Sequence, residues 1–277
     1  MLPNFLVIGA MKSGSTSLCH NLSKHPDIFV SDPKEPCFFS NDDIYEKGIE
    51  WYESLFAEGK NCKAIGEGSV NYTKKMEFPH SVPRIKKHLG SDIKLIYIVR
   101  NPLKQIVSKW MHCIVADYED KPFQKALLEN PNYIDSANYG LQLDEYRAFI
   151  DEKNILVLFF EDFVKQPQVE LRKCYAFLGV DQNFVAPEAD KPLNEFSNRE
   201  GDTVILKVLK KLPFYSGLKQ ILSPKVVDKL RSVLKWRLKK KPSYDMEVQK
   251  YILSHLKEPS RAFLRRYGKP EDFWEGI

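Results

Sequence analysis

The chain has 277 residues, 43% hydrophobic and 29% charged, with a formal net charge of +5. These fractions describe a globular protein with a sizeable core; the mild positive balance suits an anionic ligand and is too weak to argue for nucleic acid. No apolar run approaches the roughly 20 residues of a membrane span, and the N-terminus enters a strand without a leader pattern, so a cytoplasmic protein with no transmembrane segment is expected.

In chain order, the apolar run 5–8 predicts a short buried strand. It breaks at Gly9, crosses a Gly/Ser loop containing Lys12, and resumes as a helix near Ser15 or Thr16 that ends before Pro26. Residues 28–30 predict a brief strand. Two prolines keep 32–39 out of a helix interior. A helix comes next at 49–56, then a core strand at 63–67 and a short helix at 83–89. Residues 94–99 form the strongest strand, continuous and rich in β-branched and aromatic residues, as a buried parallel strand should be. It runs into Arg100-Asn-Pro and a helix over 103–115. A helix at 137–151, a strand at 155–160 and a helix at 167–178 complete the alternation. Beyond these, strand-like runs vanish and helices are expected at 203–212, 225–236, 246–256 and 261–267. The pattern predicts one α/β domain over 1–277 with a central parallel sheet, a P-loop-like nucleotide-binding core flanked by helices, and a helical C-terminal third.

Five cysteines (Cys19, Cys37, Cys62, Cys113 and Cys174) are spread without a CxxC pair, which fits free thiols in a reducing compartment. Six histidines show no metal-ligand spacing, so no metal is expected.

A strand, a small-residue loop and a helix N-terminus make an anion site, because unpaired N–H groups and the positive end of the helix dipole face one point. A Walker A loop, GxxxxGK[ST], carries its lysine directly before the metal-holding hydroxyl. Here Gly9 and Gly14 keep that separation, but Ser15 is the next residue and the lysine lies upstream at position 12. Phosphate cradling is therefore expected and ATP hydrolysis is not; an ordinary glycine-containing turn is the alternative. A second anion signal is Arg100 at the exit of the best strand with Ser108 on the next helix, since a guanidinium fork plus a hydroxyl suits a terminal phosphate. An arginine capping the sheet edge is the competing explanation.

Together, Gly-x-x-Lys-Ser-Gly-Ser-Thr and Arg-x-Pro-x₅-Ser resemble the sulfotransferase family that uses 3′-phosphoadenosine 5′-phosphosulfate (PAPS). Lys34-Glu-Pro-Cys-Phe-Phe39, Trp51-Tyr52, Gly66-Glu-Gly-Ser-Val-Asn-Tyr72 and Asp272-Phe-Trp274 resemble the branch containing heparan sulfate sulfotransferases and many bacterial enzymes. The resemblance implies PAPS as co-substrate, bound by Lys12, Ser13, Gly14, Ser15, Thr16 and Ser17 at its 5′-phosphate and by Arg100 and Ser108 at its 3′-phosphate. Arg199, in a segment resembling the family loop that closes over the cofactor, is a further 3′-phosphate candidate. Lys12 would neutralise charge on the leaving group, and Glu35 would act as general base on the acceptor hydroxyl. A surface carboxylate merely paired with Lys34 is the other reading of Glu35.

Two positions depart from the branch. Cys37 stands where the family has histidine, and Gly68 where the heparan sulfate enzymes have lysine. Glu67 is left as a substrate-side carboxylate or a partner for Lys12; His112 is a reserve base. Trp110 and Tyr72 are cleft or core aromatics. Lys235-Trp-Arg-Leu-Lys-Lys-Lys241 fits a solvated helix end, or less readily a basic rim for an acidic acceptor. The expected reaction is sulfuryl transfer to an acceptor hydroxyl or amine of a carbohydrate, lipid or other small molecule. A P-loop kinase or NTPase, or a non-catalytic nucleotide-binding module, is the alternative.

Overall fold

Strands buried on both faces split their side chains between two cores, and this sheet does so. A computed structural model describes residues 1–189 and 241–277, with the backbone of 200–202 and 235–237. Strands β1 (Phe5–Gly9), β2 (Ile28–Val30), β3 (Ala64–Glu67), β4 (Lys94–Val99) and β5 (Ile155–Phe159) form one parallel sheet in the order β2-β3-β1-β4-β5. Phe5, Val7, Ile96 and Ile98 enter one core, while Leu6, Ile8, Leu95, Tyr97 and Val99 enter the other. Each such side chain contributes roughly 1.5–3 kcal/mol on burial, so the central strands anchor the residues that project from their carboxyl ends.

The helices are α1 (Ser15–Leu22), α2 (Asp42–Tyr45), α3 (Ile49–Ser54), α4 (Ser81–Leu89), α5 (Pro102–Val115), α6 (Phe123–Glu129), α7 (Asn132–Asp135), α8 (Tyr139–Arg147), α9 (Phe160–Lys165), α10 (Pro167–Leu178) and α11 (Met246–Arg266). Leu18 and Leu22 of α1 and Leu171 and Tyr175 of α10 pack in the first core. Ile85 of α4, Ile106 of α5, Leu143 of α8 and Ile252 of α11 pack in the second. The helix after β1 and the helix after β4 thus leave for opposite faces. β1 and β4 are neighbours, so a crevice opens between their carboxyl ends, where ligands bind in open α/β sheets.

Two expectations for the C-terminal third need correction. Helix α11 runs unbroken through Pro259 instead of stopping before it. Proline removes the hydrogen bond to residue 255, but His255 is exposed and water can satisfy its carbonyl. The second difference is a short antiparallel pair, β6 (Glu200–Asp202) and β7 (Lys235–Arg237), where the sequence predicts no strand. Its register sets Glu200 opposite Arg237 and Asp202 opposite Lys235. Residues 235–237 are therefore strand, not helix end. The helix expected at 203–212, and residues 225–234 of the one expected at 225–236, lie outside the described residues.

Candidate active site

The loop after β1 is shaped by two glycines with different duties. Gly9 has φ +149°, and a Cβ there would lie 2.2 Å from Thr73 Oγ1. That hydroxyl donates to the Ile8 carbonyl at 3.0 Å, tying the loop after β3 to β1. Gly14 caps α1 at φ +96°, and a Cβ there would meet Phe160 at 2.8 Å. Between them Lys12 adopts φ +64°, and the Ala10 N–H donates to the Ile98 carbonyl at 2.6 Å. The first helical bond runs from the Leu18 N–H to the Gly14 carbonyl (3.0 Å). The N–H groups of Ser15, Thr16 and Ser17 therefore precede the ladder, and no carboxylate occupies the first turn. Ser13 and Ser15 are buried, Thr16 is exposed, and Lys12, Gly14 and Ser17 are half-buried.

Arg100 closes onto this loop from β4. Its Nη1 donates to the Lys12 carbonyl at 3.4 Å, and its guanidinium lies 4.6 Å from the centre of the Phe160 ring. Burial pulls it below the usual guanidinium range, opposed by the charge of Glu161. Its own carbonyl accepts from Tyr139 (2.6 Å). The turn beyond it is fixed by Asn101, whose N–H donates to Glu161 (2.9 Å) and whose amide donates to the Glu275 carbonyl (2.9 Å). Trp274 donates to the same Glu161 (3.2 Å), which gives the closing Asp-Phe-Trp segment a structural role. Three buried polar atoms around the loop have no well-formed hydrogen bond: Ser13 Oγ, Arg100 Nε and Gln105 Oε1. Two of them are donors, as a phosphate requires.

On the other side of β1, the segment carrying Glu35 is laced to the end of β3. The Gly68 N–H donates to the Lys34 carbonyl (3.1 Å), the Cys37 N–H to Ser69 Oγ (3.0 Å), and the Phe39 N–H to the Tyr72 hydroxyl (3.4 Å). Glu35 is partly exposed, and Lys34 Nζ donates to its Oε1 at 2.5 Å. Glu67 is fully buried, with Tyr52 donating to Oε1 at 3.2 Å and no aligned partner at Oε2. Burial pushes its carboxyl up to about 7, opposed by the hydroxyls of Tyr72, Ser69 and Tyr52 and by the charge of Lys34. Burial and Glu35 push the Cys37 thiol up, so it stays protonated at neutral pH and cannot accept a proton as imidazole does. Cys19 of α1 feels the charges of Lys34, Glu67 and Glu35.

The structure thus brings Lys12, Ser13, Gly14, Ser15, Thr16, Ser17 and Arg100 to one crevice. Ser108 lies buried on α5, one turn beyond Gln105, whose amide donates to the Met11 carbonyl (2.9 Å). His112 is one turn further along, half-buried. Glu35 belongs to the neighbouring carboxylate cluster, and Arg199 lies outside the described residues. Tyr72 and Trp110 are core aromatics, with Trp110 packed on Phe123. Sequence reasoning missed Gln105, Phe160 and Tyr139. Gln105 stands one turn before Ser108, and Phe160 leaves β5 as Arg100 leaves β4; both spacings are visible in the chain. Among the described residues, no group of three His, Cys, Asp or Glu side chains could hold a metal ion.

A model of the sulfotransferase domain matches residues 2–215. The membrane-associated sulfotransferase kil1 of Dictyostelium discoideum is 39% identical over 112 residues, covering 39% of this chain and 22% of that protein. Human heparan sulfate glucosamine 3-O-sulfotransferase 3B1 is 26% identical over 188 residues, covering 65% of this chain and 46% of the relative. The chain therefore spans less than half the length of these relatives. A crystal structure of a sulfotransferase from Alicyclobacillus acidocaldarius superposes with a TM-score of 0.61 and 29% identity, covering 70% of this chain and 87% of that one. Mouse sulfotransferase SULT7A1 complexed with PAP shares the fold at a TM-score of 0.50 and 18% identity, covering 96% of this chain and 88% of that one.

Proposed function

This chain belongs to the sulfotransferase domain family, and from that premise we propose that it moves a sulfuryl group from PAPS to an acceptor hydroxyl or amine. Residues 1–277 act as a single sulfotransferase domain. The observation that carries the reading is the convergence of Arg100 on the Lys12 loop, with Arg100 Nε buried there without a well-formed hydrogen bond. A buried donor left unmade costs about 1–3 kcal/mol, which a phosphate oxygen recovers. A PAP-complexed protein of the same fold supports this choice of nucleotide.

In this scheme PAPS supplies the sulfuryl group. Ser13, Gly14, Ser15, Thr16 and Ser17 hold its 5′-phosphate; Arg100 and Ser108, joined by Arg199, hold the 3′-phosphate. Glu35 takes the acceptor proton as the acceptor oxygen bonds to sulfur. The bond from sulfur to the bridging oxygen breaks, and Lys12 with the α1 dipole carries the charge that builds on the 5′-phosphate. Catalysis is then mainly positioning and charge stabilisation. The acceptor is a carbohydrate, lipid or other small-molecule hydroxyl; the relative whose name specifies a heparan sulfate glucosamine favours carbohydrate. No described helix is long and apolar enough to cross a membrane, and all five cysteines are free, which suits the reducing cytoplasm.

The test has two parts. Adenosine 3′,5′-bisphosphate (PAP) should raise the melting temperature far more than 5′-AMP does, and labelled PAPS should transfer to an acceptor found by screening. Lys12→Ala should abolish that transfer. Equal stabilisation by the two nucleotides, or normal turnover in Lys12→Ala, sinks the assignment. A requirement for magnesium-ATP would restore the kinase reading.

A further inference from the structure

Lys34 has a placement that sulfuryl transfer by Lys12 and Glu35 leaves unused. Its Nζ donates to Glu35 Oε1 at 2.5 Å, and its side chain is only 22% exposed. Its stem passes over Gly68, where a Cβ would lie 3.4 Å from Lys34 Cε and 2.5 Å from Cys19 Sγ. Gly68 is not among the residues with positive φ. Its backbone therefore does not demand glycine; the space does, because the Cys19 thiol fills it, with the Lys34 stem at van der Waals contact beside it. The Gly68 N–H fixes the start of that stem by donating to the Lys34 carbonyl (3.1 Å). The charge of the ammonium also acts on Glu67.

Stability does not explain this arrangement. An ion pair with both partners partly exposed contributes little to stability, while ordering a lysine side chain costs rotamer entropy. Aim explains it better. A general base must present one oxygen to the proton it removes, and a carboxylate on a loop rotates unless something holds it. We propose that Lys34 is the positioning residue for Glu35: it holds Oε1 so that Oε2 faces the acceptor, with its own backbone anchored by the Gly68 N–H. Lys34 also brings to the acceptor side the positive charge that residue 68 lacks. The inference rests on the sulfuryl-transfer reading with Glu35 as base.

The experiment uses the full chain, labelled PAPS and the best acceptor from a screen, with PAP-induced thermal stabilisation as an independent readout. Lys34→Gln should lower kcat by about 10²-fold, the low end of what a positioned base supplies, with PAP stabilisation and the KM for PAPS unchanged. Lys34→Arg should recover most of the loss. A lysine relocated to position 68, as Gly68→Lys with Cys19→Ala in the Lys34→Gln background, should raise kcat at least about tenfold over Lys34→Gln with Cys19→Ala, because the cation returns to the same space. Wild-type kcat in Lys34→Gln overturns the inference and leaves sulfuryl transfer standing. Parallel loss of PAP stabilisation and kcat, or no recovery from either replacement cation, also overturns it, by reducing Lys34 to loop packing. If the unaltered protein is not stabilised by PAP and does not transfer, the reading beneath the inference fails instead.

Discussion

Replacing Arg100 by lysine separates charge from shape at the proposed 3′-phosphate site. The guanidinium stacks 4.6 Å from the Phe160 ring centre, reaches the Lys12 carbonyl through Nη1, and keeps Nε buried without a partner. Lysine retains the charge but cannot stack as a plane or offer two parallel donors. One lost charge-assisted hydrogen bond is worth about 1.5–3 kcal/mol, and the ring contact adds about 0.5–1 kcal/mol. At 1.4 kcal/mol per decade, Arg100→Lys should weaken PAP binding about 10²-fold. The 5′-AMP complex lacks the 3′-phosphate and should change less than about threefold. In a thermal titration, a ligand at 100 times its Kd stabilises by about 2.7 kcal/mol; a 10²-fold weaker site loses most of that. Calorimetric titration at fixed ionic strength gives the two constants directly, and the ligand-free melt checks the fold. Equal weakening of PAP and 5′-AMP would refute the reasoning, because Arg100 would then only prop the Lys12 loop. So would an unchanged PAP constant.

Two other perturbations address the carboxylates. Glu35→Gln keeps size and polarity but cannot take a proton, so turnover should fall by about 10²–10⁴-fold while PAP stabilisation is unchanged; turnover near wild type would exclude Glu35 as the base. Glu67 makes a prediction in pH. Its carboxyl is raised from 4.5 to about 7 in the folded protein, chiefly by burial, so the folded state holds the proton more tightly than the unfolded one. Its contribution is fully present below about pH 4.5 and declines as pH rises to about 7, by roughly 3 kcal/mol for the full shift. Melting curves of the wild type and Glu67→Gln should therefore converge at low pH and separate as pH rises, with the wild type losing ground. Parallel curves between pH 5 and 8 would show that Glu67 does not titrate in this range.

Much of the site was legible because its residues sit at strand exits. The runs 5–8 and 94–99 are apolar enough to declare buried strands, and the residues just past a buried parallel strand fall at the ligand edge. Lys12 and Arg100 are both there. Contacts that depend on which elements become neighbours were not legible. Phe160 supports Arg100 only because β5 lies beside β4, and Gln105 reaches Met11 only because α5 packs under the loop. Pro259 misled for a related reason: its local cost is real, but α11 buries Val248, Ile252, Leu256, Phe263 and Leu264, and that packing outweighs one lost hydrogen bond.

Gly68 shows the limit most sharply. In one dimension a glycine means either a turn that needs positive φ or a missing side chain, and the sequence cannot say which. Position 68 is the second kind. Its backbone is ordinary, and its Cβ direction runs into the Cys19 thiol, with the stem of Lys34 at contact beside it. In the chain Lys34 is simply the residue before Glu35, a bland surface partner. The pair does form, yet the stem of Lys34 lies across the end of β3 and its charge reaches Glu67. A lysine added back at 68 without removing the Cys19 thiol should therefore not add charge to the wild-type site. Its Cβ would clash with Sγ at 2.5 Å and disturb the packing beside Lys34, lowering turnover.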